Sequence, residues 1–291
     1  MFWILLLGAL FAGYLTLAAR DYGPALLGDR GPFDPRFLGR QVWLVAAAGL
    51  LFGAFPALEG ELLARHAAVV TPALAGTVVA TVAIPLRRRR LAALGSATAA
   101  AGWGGLLGAL LTAEPAGIAA LAAVQLALTA TQGAALRADP RNTARLALLT
   151  LSVATAALVV LPFFSAVRVG TPTAYPGLLL IVVLIGLLAV TAHAARRHRW
   201  RPARAAITVS LALPVPIVSL LTWPYALIPG PAPGAGATWE HALADPATLR
   251  LLALVALPAL PLAVLALWAG KSSRRSQVEG HSPEFHRLWL T

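Results

Sequence analysis

Residues Gly39 to Pro56 read GRQVWLVAAAGLLFGAFP, and this run sets the fold class. After Arg40 and Gln41 it carries no charge until Glu59, the profile of a helix that enters a bilayer through polar residues and crosses it on apolar ones. Trp43 is placed as an aromatic anchor at the interface, Gly49 and Gly53 form a small-xxx-small pair that invites a close helix neighbour, and Phe52, Phe55 and Pro56 close the segment. Any ordinary transmembrane helix satisfies this pattern.

Composition extends the reading to the whole chain. Of 291 residues, 59% are hydrophobic and 12% charged, and the mean hydropathy is +0.77, which belongs to an integral membrane protein and excludes soluble folds. There is no Cys, and Met1 is the single Met, which removes disulfides, thiolate chemistry, Cys-ligated metals and an axial Met inside the membrane. The net charge of +12 does not indicate nucleic acid, because the basic residues sit in short loops between apolar spans. There they set orientation and meet anionic membrane lipids. Met1 to Leu6 has no basic residue ahead of the apolar run, so the first helix reads as retained rather than as a cleaved signal.

Apolar stretches of roughly 17–25 residues fall at about Phe2–Ala19, Val42–Leu58, His66–Leu86, Leu91–Ala113, Gly117–Leu136, Leu146–Val167, Tyr175–Ala195, Ala205–Ile228 and Thr248–Ala269. The expected fold is all-α, a polytopic integral membrane helical bundle of about nine transmembrane helices. The loops after odd-numbered spans, together with the tail, hold 20 of the 23 Lys and Arg residues, and Arg65, Arg168 and Arg250 are the others. By the positive-inside rule the N-terminus lies outside and the C-terminus in the cytosol. Residues 1–269 form one transmembrane domain, two four-helix bundles plus a last helix, and 270–291 a basic cytosolic tail. Pro229 to Ala247 is read as a loop, and Gly102, Gly104, Gly105 and Gly108 as a small-residue face of the fourth span.

All 11 acidic residues fall in predicted loops or span ends, whereas ion-coupled transporters usually keep a charge near the midplane. A haem would need axial ligands. His66 and His193 alone touch predicted spans, at opposite membrane faces, so they cannot share one haem. Gln125, Thr129 and Gln132 follow i, i+4, i+7 spacing on one face of the fifth span. That pattern fits either interhelical hydrogen bonding or a polar path for quinone or water. The sequence offers no nucleophile and base pairing, phosphate-binding Gly loop or metal-ligand spacing.

The opening FWILLLGALFAGYLTLAARDYGPALL, followed by GRQVWLVAAAGLLFGAFP, resembles the N-terminal signature of subunit II of the cytochrome bd quinol oxidases. That family shows a Gly-aromatic pair, here Gly13 and Tyr14, then a Phe-Asp-Phe-Gly-like turn, here Asp21, Tyr22 and Gly23. An Asn-Glu-Val-Trp-Leu run ending in Phe-Ala-Ala-Phe-Pro corresponds to Gln41, Val42, Trp43 and Leu44 and to Phe52, Ala54, Phe55 and Pro56. The stretch from WPYALIP at Trp223 to Trp268 is similar to the family's last two helices. The chain departs from the pattern at Ala18, where an acidic residue is usual, and at Phe37 and Leu38, which replace a Trp-Asp pair.

The resemblance implies a heterodimer in a bacterial cytoplasmic (inner) membrane. A partner subunit I carries haem b and haem d, oxidises quinol and reduces oxygen to water, and small accessory subunits can accompany it. This chain would bind no cofactor and no metal, contribute no catalytic residue, and serve as scaffold. Asp21 would take up protons from the cytosol. Two other readings stay open: a stand-alone polytopic permease, and an assembly or structural membrane protein without oxidase activity.

Overall fold

The computed structural model describes residues 1–28, 37–164, 174–227 and 237–254. The chain divides into two compact units, Met1–Leu243 and Ala244–Thr291. The first unit contains α1 (Phe2–Leu26), α2 (Phe37–Ala54), α3 (Pro56–Arg65), α4 (Ala67–Ala83), α5 (Arg89–Leu111), α6 (Pro115–Leu136), α7 (Pro140–Phe164), α8 (Ala174–Arg196), α9 (Trp200–Ala212) and α10 (Pro214–Thr222). A short segment follows, with β1 (Tyr225–Leu227) antiparallel to β2 (Ala237–Thr238) and then α11 (Trp239–Ala242). The described residues are mostly helical. Five stretches among them are long and apolar enough to cross a membrane: Phe2–Leu26, Arg89–Leu111, Pro115–Leu136, Tyr175–Arg196 and Trp200–Thr222. A sixth arises if α2 and α3 are taken together, although they bend by 114°.

Local chemistry fixes the ends. Pro56, Pro115 and Pro214 open α3, α6 and α10, where the missing N–H costs nothing and the fixed φ suits a helix. Asp139 caps α7 by accepting from the Asn142 main-chain N–H at 3.0 Å. Four helices stop at a left-handed residue: Gly28 (φ 70) after α1, Arg87 (φ 53) after α4, Ala138 (φ 53) after α6 and His198 (φ 57) after α8. At the last three, the following N–H reaches back to the carbonyl five residues earlier, as Arg88 to Ala83, Asp139 to Ala134 and Arg199 to Ala194. These are Schellman caps built without glycine.

Two hydrophobic clusters form the core. One joins α1, α4, α5 and α10 around Tyr14, Trp103 and Leu107; the other joins α6, α8, α9 and α10 around Leu128, Leu188 and Ile207. The pairings repeat between the halves: α1 with α2, α4 with α5 and α1 with α5, then α6 with α7, α8 with α9 and α6 with α9. The halves meet chiefly where α1 crosses α6 and α5 crosses α6. At that first crossing a Cβ on Gly23 would lie 2.5 Å from the Thr129 carbonyl oxygen and 2.6 Å from the Gly133 nitrogen, so the two backbones touch.

Several expectations change. The first helix runs through Asp21, Tyr22 and Gly23 to Leu26, so the family's turn residues are helical and Asp21 lies inside an element. The second span ends at Ala54, because Phe55 has φ −136 and ψ 56 and Pro56 starts a new helix. Gly49 makes no close helix contact: a Cβ there would meet nothing within 4 Å. Phe52 is 53% exposed and does not plug the helix end. Trp43 packs its ring over Gly13, where a Cβ would sit 2.5 Å from it, and so packs against the core. On α5 the glycines serve two neighbours, Gly102 facing Ala73 of α4, and Gly104 and Gly108 facing Gln125 and Ile118 of α6. The segment expected as a plain loop after the eighth span contains β2 and α11. In the second unit, residues 246–254 are helical. Trp268 and the tail 270–291 lie outside the described residues.

Candidate functional site

The residues of the first two matched motifs converge on one contact between α1 and α2. Gly13 lies under the Trp43 ring. Eight residues on, Asp21 accepts from both arms of the Arg40 guanidinium, Nε to Oδ2 at 2.7 Å and Nη2 to Oδ1 at 2.5 Å. The two side chains are only 10% and 12% exposed. The helix turns the Asp21 carboxylate towards Arg40 of α2. A proton route through Asp21 therefore requires the Arg40 fork to open.

Behind this ion pair is a buried polar cluster. The Tyr14 hydroxyl is 3.3 Å from that of Tyr22 and 3.2 Å from Thr77 Oγ1 of α4. The indole Nε1–H of Trp103 on α5 donates to both Tyr14 and Thr77 at 3.2 Å. Thr77 spends its one hydroxyl proton on the Ala73 carbonyl at 2.8 Å, so Tyr14 donates to Thr77 and Tyr22 donates to Tyr14. The donors all point one way and finish on a main-chain carbonyl. Three helices are thereby tied together inside the apolar core, where such bonds resist separation. The Gln41 amide is buried beside Tyr22, near enough to act on its hydroxyl, but makes no hydrogen bond of good geometry.

A cavity of about 220 Å³ lies beside Trp103 and Phe11 and is lined by residues of α1, α2, α4, α5 and α10, by Leu58 and Leu62 of α3 and by Trp239 of α11. The Trp103 ring meets Phe11 and Tyr14 edge-on at 5.4 and 5.8 Å and so separates the cavity from the hydroxyl cluster.

Gln125, Thr129 and Gln132 do share one face of α6, and all three are buried. They are spread along three contacts rather than gathered on one path. Gln125 packs over Gly104 of α5, the Thr129 carbonyl meets Gly23 of α1, and Gln132 Nε2 donates to Thr208 Oγ1 of α9 at 3.4 Å. Thr129 itself bonds back to the Gln125 carbonyl. His66 stands at the corner between α3 and α4, and His193 in the last turn of α8. Among the described residues no group of three or more His, Cys, Asp or Glu could hold a metal ion.

Sequence reasoning missed Thr77, Trp103 and the role of Arg40. Trp103 carried a usable signal, since an indole N–H in the middle of a span, away from the interface, must find a partner. Compared with known proteins, the chain matches no family model and no curated protein.

Proposed function

We propose that this chain is the haem-free subunit II of a cytochrome bd-type quinol:dioxygen oxidoreductase, crossing a bacterial cytoplasmic membrane nine times with its N-terminus outside. It supports a haem-bearing subunit I that oxidises quinol and reduces oxygen. The observation that carries the reading is the convergence of its two best-matched motifs. Gly13, Asp21 and Tyr22 on one helix meet Trp43, Arg40 and Gln41 on the next, so the residues that resemble the family form one structural unit rather than scattered coincidences. The scaffold role is consistent with an interior whose polar groups tie helices together. The 20 basic residues on one side support the orientation.

The test is purification of the tagged chain from its own membranes in mild detergent. The expected result is a co-purifying haem-bearing polypeptide, a haem d absorption band and quinol-dependent oxygen uptake. A chain that emerges without haem or partner, from membranes that do contain haem d, would refute the assignment. Alkaline phosphatase fused after Arg89 should be inactive, since that loop faces the cytosol in this topology.

A further inference from the structure

The two halves of the first unit correspond residue by residue. Gly23 of α1 falls on Gly133 of α6, 110 positions later, and in the same register the left-handed Gly28 (φ 70) falls on the left-handed Ala138 (φ 53). With one added residue, the left-handed Arg87 (φ 53) falls on His198 (φ 57), and the cap bond from Arg88 to Ala83 at 3.0 Å falls on that from Arg199 to Ala194 at 2.9 Å. Burial keeps this register too. Positions 91–101 of α5 and 202–212 of α9 pass through buried, half-buried and exposed in one order throughout, as do 41–45 of α2 and 151–155 of α7. Unrelated amphipathic helices share a period, but they do not share caps and faces at one fixed offset.

Tertiary contacts repeat in the same way. Asp21 and Arg40 correspond to Thr131 and Thr150, and both pairs join the first two helices of their half across 19 positions: an ion pair in one, two hydroxyls 3.0 Å apart in the other. Where the halves cross, Gly23 meets its own counterpart, since a Cβ on either glycine would strike the main chain of the other. Equivalent positions in mutual contact mark a twofold axis. The Arg137 guanidinium donates to the Leu27 carbonyl at 3.1 Å, so α1 and α6 end on the same side and the halves stand parallel. Where the halves differ, the second shows what the fold accepts. Tyr14 and Thr77 give way to Val124 and Leu188, both in the core, and the ion pair gives way to two threonines whose hydroxyls also return to the Ala127 and Leu146 carbonyls of their own helices at 2.7 Å.

We propose that α1–α5 and α6–α10 are tandem copies of one four-helix membrane unit, related by a twofold axis through the Gly23 and Gly133 contact, and that the Asp21–Arg40 ion pair is an addition of the first copy which the fold does not require. Charge at this place is carried for a purpose other than holding the bundle. The inference rests on the internal correspondence alone and stands or falls separately from the oxidase assignment.

The test exchanges the pairs between the copies in the full chain, with whatever partner it carries, and reads thermal unfolding in one detergent. Asp21→Thr alone removes the carboxylate that takes two bonds from Arg40 and should lower the melting temperature by several degrees. Asp21→Thr with Arg40→Thr reproduces the second copy and should melt close to the wild type. In the reverse exchange, Thr131→Asp alone buries an unpaired carboxylate and should melt low, and adding Thr150→Arg should recover part of the loss, because the two positions face each other as 21 and 40 do. A Thr–Thr double variant that melts as low as Asp21→Thr would show that the fold needs the ion pair. A Thr131→Asp/Thr150→Arg variant that melts no higher than Thr131→Asp would show that the two places are not equivalent. Either result overturns the proposal.

Discussion

Replacing Gly23 by Ala tests the contact on which the two halves of the membrane unit rest. The new Cβ would sit 2.5 Å from the Thr129 oxygen, 2.6 Å from the Gly133 nitrogen and 2.8 Å from the Gly133 Cα. All three are main-chain atoms of α6, so no rotamer change relieves the overlap. The helices must part by roughly 1 Å, and overpacking of this kind costs about 1–3 kcal/mol. Ala in a helix interior returns up to about 1 kcal/mol relative to Gly, leaving a net loss of roughly 1–2 kcal/mol. Gly49→Ala supplies the control. Nothing lies within 4 Å of its Cβ, so the same exchange should be neutral or stabilising. Thermal unfolding of both variants in one detergent reads the difference, which should amount to several degrees. Equal melting temperatures would mean that α1 and α6 do not meet at Gly23 and that the packing of the halves is wrong.

Ala138→Gly removes the strain of a left-handed residue at the α6 cap and should raise stability by about 1 kcal/mol; Arg87→Gly and His198→Gly should act in the same direction, checked by the same melts. Asp21→Asn should cost up to about 3 kcal/mol, because it removes the carboxylate that takes two bonds from the nearly buried Arg40 guanidinium, and adding Arg40→Gln should restore most of the loss. If Asp21 served only proton transfer, the single and double variants would melt alike. Asp245 accepts from the Thr248 hydroxyl at 2.6 Å and from the Ala247 and Thr248 main-chain N–H groups, and these bonds hold its carboxyl below the usual carboxylate range. A carboxylate with a depressed pKa stabilises the fold above its unfolded pKa and loses that contribution as pH falls through its folded one. Amide exchange in the helix over 246–254 should therefore quicken on acidification below about pH 4, and Asp245→Ala should show the fast rate at every pH.

What could be read from the sequence was what depends on local runs of residues. Hydropathy places α1, α5, α6 and α8 to within a few residues at most ends, since a span needs only an unbroken apolar stretch. It failed where a single residue decides. Phe55 and Pro56 turn the chain through 114° inside a run that stays apolar to Leu58, and periodicity is blind to that corner. The motif residues stood together in sequence, but their tertiary partners were not legible. Arg40 reaches Asp21 across 19 positions and Trp103 reaches Tyr14 across 89, and only tertiary packing brings them together. Glycine showed the same divide. Gly23 and Gly49 look alike as small residues in apolar helices, yet one carries a helix crossing and the other faces open space, because a missing side chain says nothing of what stands opposite.

α4, the second helix after the 114° corner, is apolar but shorter than the helices able to cross a membrane. α4 has 17 residues and its neighbour α5 has 23, so at 1.5 Å per residue the pair measure about 25 and 35 Å, one below and one above a hydrocarbon core of about 30 Å. In the nine-span arrangement proposed above, lipid beside α4 would have to thin while α5 is shielded by its packing between α4 and α6, so the mismatch would be one-sided, relieved by membranes of short-chain lipid and aggravated by thick ones.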